Sequence, residues 1–537
     1  MFQLKNGQRR QGNDRMLPIL VVFLMIVSGC TPIWNAINKE VNISITVDGN
    51  IQTISVPYGT TVLMALELNG TDLREPDEVD PPGNSIIKEP IQIKVKRVWE
   101  EIFTEEITIP YDRQIFTNET QSEDHENILQ TGTYGLIEST YRLRFEEGKE
   151  ISRTIVRTEL IKGPEPEIIM LGVKNPIKPL PVKGIIAYLC DGNAWIIEEN
   201  TANRRIVVSS GDLDGIVFTL SPDRQWLLFT RKLEETSADD INSLWAVNIY
   251  KQDGKLISLN AANIVHFADW VPNTRWKVTY STVEQQSAEP GWQAKNDLHS
   301  VTLDAEGNIS STSLIVPQNS GGSRGGWGTD FAWSSDGKRL AYAQPDSIGL
   351  VNISDGNLMP ILPVSPYQNL DNRVWLPRIN WSSDHRVLYT VNHTISKEFG
   401  SDNEISNFDI MALVPETNLN ITLVQQSGMF SYPTAYPYES GKWNLIAYLQ
   451  VTDTEKRNLH QYQLAIMDRD GSNREIIFPD REGFGLEPQE FVWEPGSQNG
   501  IFGLGVIYQS DLWIIRPQSG SYQQVTDKNA IVRIDWK

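Results

Sequence analysis

Apolar and polar residues alternate with a period of two along most of this chain, the pattern of half-buried strands rather than helices. In VNISITVDGNIQTISVPYG, from Val41, two alternating runs flank Asp48-Gly49, which predicts a hairpin closed by a tight glycine turn. TTVLMALELNG predicts one short helix, capped by Thr60 or Thr61 and stopped by Gly70. Alternation resumes in IQIKVKRVWEEIFTEEITIPY and STYRLRFEEGKEISRTIVRTELI, so residues 91–173 read as strands throughout, divided by a polar stretch at 117–128. KNPIKPLPVKG (174–184) holds three prolines and little to bury, and reads as a stiff, extended linker.

From residue 185 the pattern repeats about every 50 residues. Each copy has an apolar or aromatic landmark, a Ser/Pro-Asp/Gly turn and an apolar strand, as in FTLSPDRQWLLFT, FAWSSDGKRLAYA and INWSSDHRVLYTV. The landmarks are Leu220, Trp270, Trp333, Trp381, Tyr436, Trp493 and Trp536, spaced 50, 63, 48, 55, 57 and 43 residues apart. Each unit carries four strands, the content of a propeller blade. The last copy, IVRIDWK, stops at its first strand, whereas GIIAYLCDGNAWIIEENTANRRIVVSS supplies the other three without a first. Pairing of the two ends would complete one composite blade and remove two open sheet edges. The expectation is therefore a mainly β chain ending in a seven-bladed β-propeller over 185–537, with six blades as the alternative. The motif resembles the bacterial TolB-like or WD-repeat-like propellers. The recurrent Trp is read as inter-blade core, and Asp223, Asp336 and Asp384 as turn residues rather than metal ligands.

Loop lengths pick one face. Turns between first and second strands, and between third and fourth, are short. Long insertions fall at 232–243, 284–297, 393–407 and 452–461, between second and third strands, and are joined by inter-blade pieces at 317–330 and 363–377. Scaffolded loops commonly carry binding function, so this face is the expected ligand-binding face, with Trp292, Trp327, Tyr367, Trp375 and Phe399 as its exposed aromatics. The four insertions carry twelve acids against five bases, which suggests a cationic partner or bound calcium; otherwise they serve solubility.

Composition sharpens the address more than the chemistry. The net charge of −21 argues against a nucleic-acid partner, which needs basic residues facing phosphates. The first 29 residues carry four bases and one acid around an apolar run, Met16 to Val27, that is too short to span a bilayer and has the length of a signal-peptide core. The run leads into Val27-Ser28-Gly29-Cys30, which resembles the bacterial lipobox. That resemblance implies cleavage before Cys30, lipid on its thiol, and a tether at 30–40. The chain from Cys30 would carry −24. Two or more acyl chains anchor stably where one is marginal. Cys190, in a strand-like run, reads as a small core residue.

The N-terminal segments carry two further resemblances. The strand–strand–helix unit at 41–90 resembles the ubiquitin-like domain that precedes the five-glycine domain in wall-associated proteins such as the resuscitation-promoting factors. Residues 91–173 resemble a G5 domain, by the run Gln130-Thr131-Gly132, Gly135, Tyr141, Glu147-Gly148-Lys149-Glu150, Pro164 and Gly172. They depart from it in the apolar ENILQTGTYGLIE and in an acidic stretch at 119–126 that looks like an insertion. The resemblance implies association with peptidoglycan or extracellular polysaccharide, or a spacer role.

No nucleophile elbow, zinc helix, phosphate loop or dinucleotide fingerprint occurs, and the six histidines lack metal-ligand spacing. The reading is a non-enzymatic, lipid-anchored protein of the bacterial envelope facing the extracytoplasmic side, with no cofactor and with the propeller as a protein or glycan recognition platform. The alternatives are a propeller hydrolase acting on extracellular polysaccharide, which would gather its acids from separate blades, and a purely structural envelope protein.

Overall fold

The structure is a computed structural model that describes residues 39–233, 241–251, 254–369, 373–397, 404–437, 444–452, 462–480, 484–496, 502–527 and 530–537. Cys30 and Phe399 therefore lie outside the described residues. Among the described residues no helix is long and apolar enough to cross a membrane. The chain divides into two compact units, one holding residues up to 109 together with 134–163, the other holding 110–133 and 164–537.

In the first unit, Glu40–Val47 and Asn50–Pro57 form the expected hairpin, with Asp48 and Gly49 both at positive φ (51° and 76°). The one α-helix among the described residues, Val62–Leu68, starts where Thr61 Oγ1 accepts the Met64 N–H, and Gly70 past its end has φ 70°. Gln92–Lys96 runs parallel to Glu40–Val47 and adds Ile93 and Val95 to a core with Ile43, Ile45, Val56, Ala65 and Leu66. Its alternation is continuous with the strand after it, which is why sequence reading groups it with the following module. Arg97 marks the change of sheet, bound to Asp48 at 3.0 Å and Asp77 at 2.7 Å.

The remainder of this unit is a single-layer antiparallel sheet of Val98–Ile109, Gly135–Glu146 and Lys149–Lys162. Trp99 stacks on Phe145 at 5.3 Å, and Arg153 lies over the rings of Phe103 and Tyr141. Leu143 is its one central buried apolar residue, so cross-strand pairs rather than a packed layer hold it.

The second unit opens with a three-stranded sheet, Arg113–Ser122 and Glu126–Gln130 flanking Glu167–Val173. Two landmark glycines sit at close approaches. A Cβ on Gly172 would fall 1.8 Å from the Ser122 carbonyl oxygen, and one on Gly132 would fall 2.3 Å from the Tyr111 ring. The acidic stretch at 119–126 begins inside the fold. Glu119 is fully buried and pairs with Arg204, itself 2% exposed, so a charge that alternation would assign to solvent is neutralised inside. Phe116 meets Trp195 edge-on at 4.8 Å, and Met170 joins the core of Tyr188, Trp195 and Ile534. Within 174–184 the backbone is bonded to its surroundings: Ile177 N–H donates to Glu119 O, and Leu180 exchanges bonds with Thr201.

Among the described residues seven four-stranded sheets follow, each in chain order except one. That one is the composite blade. Ile531–Trp536 pairs antiparallel with Pro181–Cys190, so the C-terminal strand is the innermost strand of the first blade. The seven-bladed expectation holds and the six-bladed alternative falls away. Three of the landmark indoles are shown by their donors to be keyed into the preceding blade. Trp270 Nε1 donates to Thr219 O at 3.2 Å, Trp381 to Ala332 O at 3.0 Å and Trp493 to Thr434 O at 3.2 Å. Burial and one directed donor together explain why Trp, rather than Phe, recurs. The turn acids act locally, each accepting its preceding Ser hydroxyl at 2.6 Å: Asp223 from Ser221, Asp336 from Ser334, Asp384 from Ser382. Cys190 is buried, 3% exposed.

Candidate functional site

The first strands of the seven blades line a central channel with a cavity of about 410 Å³. Along a strand, alternate residues point to one side. The residues one and three positions before each landmark therefore share the lumen, one near each end.

Position three before the landmark is Val217, Phe267, Asp330, Arg378, Pro433, Glu490 and Arg533. Four of these seven are charged. First strands start on the side of the inter-blade loops, so this ring lies beneath the long-loop face. Arg378 Nη1 bonds Asp330 Oδ1 at 2.8 Å, and its Nη2 lies 3.3 Å from Glu490 Oε1. Arg533 Nε donates to Gly215 O at 2.7 Å. The Asp330 side chain is 4% exposed, whereas Arg378 and Glu490 keep 40% and 54% because their tips face the open lumen. Burial pushes the Asp330 carboxyl up to about 6, against the pull of Arg378. The Arg378 charge holds Glu490 below the usual carboxylate range. Burial also brings His266 down to about 4, with Arg378 adding to the effect. The His266 ring rests against Gly328, where a Cβ would come within 2.4 Å of Nε2.

At the opposite mouth, Asp269 and Asp535 share the Thr219 hydroxyl at 3.4 and 3.2 Å. Asp535 also accepts the Leu220 N–H at 2.7 Å. Burial raises the Asp269 carboxyl. This pair closes the ring between the first three blades.

The aromatics expected on the loop face separate into two groups. Trp292, in the short strand Trp292–Ala294, meets His266 edge-on at 4.7 Å and Trp327 at 6.1 Å, both indoles half-buried. They form one wall leading to a residue of the channel. Trp375 does not stand exposed. It is 7% exposed and packs on Phe408 at 5.2 Å, as Tyr367 does at 5.1 Å, because the stretches that carry them, 363–369 and 373–377, lie against the blade of Leu388–Lys397. Phe399 lies outside the described residues, as do most of the insertion acids. Of those described, Asp297 is 3% exposed and bonded to Thr282 and His299, a structural role inside its blade. Among the described residues no group of three or more His, Cys, Asp or Glu is placed to hold a metal ion. The ring residues Asp330, Arg378, Glu490 and Arg533 were missed by motif search, but alignment of the repeats on their landmarks would have found them.

No curated protein matches the chain in sequence. Among solved structures it is similar to TolB from Acinetobacter baumannii, at 11% identity over 70% of this chain and 96% of that one, TM-score 0.33. It is also similar to an oligogalacturonate lyase in complex with manganese, at 13% identity over 56% of this chain and 85% of the other, TM-score 0.36. The IgA1 protease G5 domain is 26% identical over 15% of this chain and 93% of its own length, TM-score 0.12. In sequence, the G5 domain family matches residues 100–174, which take in strands from both compact units.

Proposed function

We propose that this chain is a lipid-anchored binding protein on the extracytoplasmic side of a bacterial envelope. Lipid on Cys30 would hold it to the membrane, and the signal at 1–29 would be removed. The ubiquitin-like and G5 modules would associate with peptidoglycan or extracellular polysaccharide, or space the propeller from the membrane. The propeller would be the recognition platform for a protein or glycan. The observation that carries the binding reading is the channel mouth, where charged side chains converge from four separate blades with their tips in an open lumen. Palmitate labelling of the full chain in a bacterial host tests the anchor. Label and membrane association should both vanish in Cys30→Ala. A Cys30→Ala chain that stays labelled and membrane-bound overturns it.

A second reading, hydrolysis of extracellular polysaccharide, is favoured by one observation. Two carboxyls on one arginine are pushed apart, Asp330 up to about 6 and Glu490 down. Such a split is the pattern of an acid and a base sharing a site. Release of reducing ends from cell-wall polysaccharide, lost in Asp330→Asn, would establish it. No release over a day at pH 5 to 7 would dismiss it.

A further inference from the structure

The geometry points to the channel mouth under the long loops as a subsite for the end of an uncharged saccharide chain, a conclusion that rests on the recognition-platform reading above and narrows its ligand. Five side chains from five different blades converge there: Asp330, Arg378, Tyr432, Glu490 and Arg533. Two carboxylates and two guanidiniums cancel, so the ring has no formal charge. Sugar hydroxyls donate and accept at once. Planar carboxylates accept in pairs and guanidiniums donate in pairs, so an interleaved set of both fits vicinal hydroxyls. Side-chain exposures of 40% for Arg378 and 54% for Glu490 leave those groups hydrogen-bonding capacity toward the lumen, which a purely structural ion pair would not need. Trp292 meets the channel-lining His266 edge-on, so an aromatic side chain stands behind that part of the wall.

Charge and size narrow the class. A chain of net charge −21 repels a polyanion over distance, and a neutral ring offers a small cation no excess of carboxylate. An uncharged ligand meets neither penalty. The channel as a whole, from this mouth to the Asp269–Asp535 mouth, encloses about 410 Å³, within the roughly 300–1,000 Å³ of small-ligand pockets, so it admits the terminal units of a chain rather than its length.

Calorimetric titration of the full chain in detergent tests this. N-acetylglucosamine trimer and cellotriose serve as uncharged probes, trigalacturonate as the anionic probe and trilysine as the cationic one. At least one uncharged trimer should bind. Arg533→Gln and Glu490→Gln should each weaken it about tenfold or more, as loss of a charge-assisted hydrogen bond does. Both variants should keep a cooperative thermal melt, lowered by no more than the loss of the Arg533–Gly215 bond or the Glu490–Arg378 contact accounts for. The inference is overturned if neither uncharged trimer binds, if only trigalacturonate or trilysine binds, or if both variants bind as the parent does. Its failure is separable from that of the envelope reading. Intact palmitate labelling without sugar binding removes only this inference, and sugar binding without labelling removes only the anchor.

Discussion

Glu119 and Arg204 offer the sharpest energetic test of how the sheet of Arg113–Ser122 and Glu167–Val173 is built onto the first blade. Both side chains are buried, at 0% and 2% exposure. Arg204 also donates to Thr201 O at 2.9 Å and Val525 O at 2.6 Å, so one guanidinium ties the sheet, its own blade and the last blade together. Glu119→Gln leaves that cation buried without its counter-charge. Breaking one side of a buried pair costs about 3–5 kcal/mol, roughly a hundredfold to a few thousandfold in a local opening equilibrium. Hydrogen exchange reads such openings directly, without treating a chain of several domains as two-state. Amides of Arg113–Ser122 and Glu167–Val173 should lose protection by about that factor, while those of Leu388–Lys397 in a remote blade should not change. Glu119→Leu with Arg204→Met should recover most of the loss, because paired apolar replacements avoid the stranded charge. A change below about fivefold in Glu119→Gln, or an equal loss in every blade, would refute the reasoning.

Three other outcomes are expected. Trp381→Phe keeps the ring but drops the bond to Ala332 O, and should destabilise the propeller by about 1–2 kcal/mol in thermal melts. Burial raises the Asp384 carboxyl, but bonds from Arg469, Ser382 and the Arg386 N–H overcome it and hold the group at about 2. A folded value below the unfolded one gives stability that is present above about pH 4 and lost as pH falls toward 2, so Asp384→Asn should flatten that limb of the urea midpoint against pH. His266, brought down to about 4 by burial, stays neutral when the unfolded chain takes up a proton, so it contributes a loss of stability between about pH 6.5 and 4, and the pH profile of His266→Gln should differ from the parent's by that contribution.

Much of the architecture was legible because it is repetitive. Leu220, Trp270 and their counterparts recur in one local context, and the incomplete copy at Trp536 foretold the strand that Pro181–Cys190 needs. The hairpin at Asp48-Gly49 and the cap at Thr61 are local rules of the same kind. What escaped depends on distance in the chain. The burial of Glu119 was not legible because its partner, Arg204, lies 85 residues away. Gln92–Lys96 looked continuous with its successor because alternation carries no information on which strand is the neighbour. Trp375 looked exposed because loop length does not say whether a loop folds back. Asp330, Arg378, Glu490 and Arg533 have no common motif. They share only a register, three residues before a landmark, which becomes a ring once the blades close.

The most direct test of the account is retention of the full chain on isolated cell walls. Purified protein in detergent is mixed with walls stripped of protein and then sedimented. The account predicts saturable retention, competed by an excess of an uncharged trisaccharide such as the N-acetylglucosamine trimer. Protein that stays in the supernatant with stripped walls and with protein-bearing envelopes alike would contradict it.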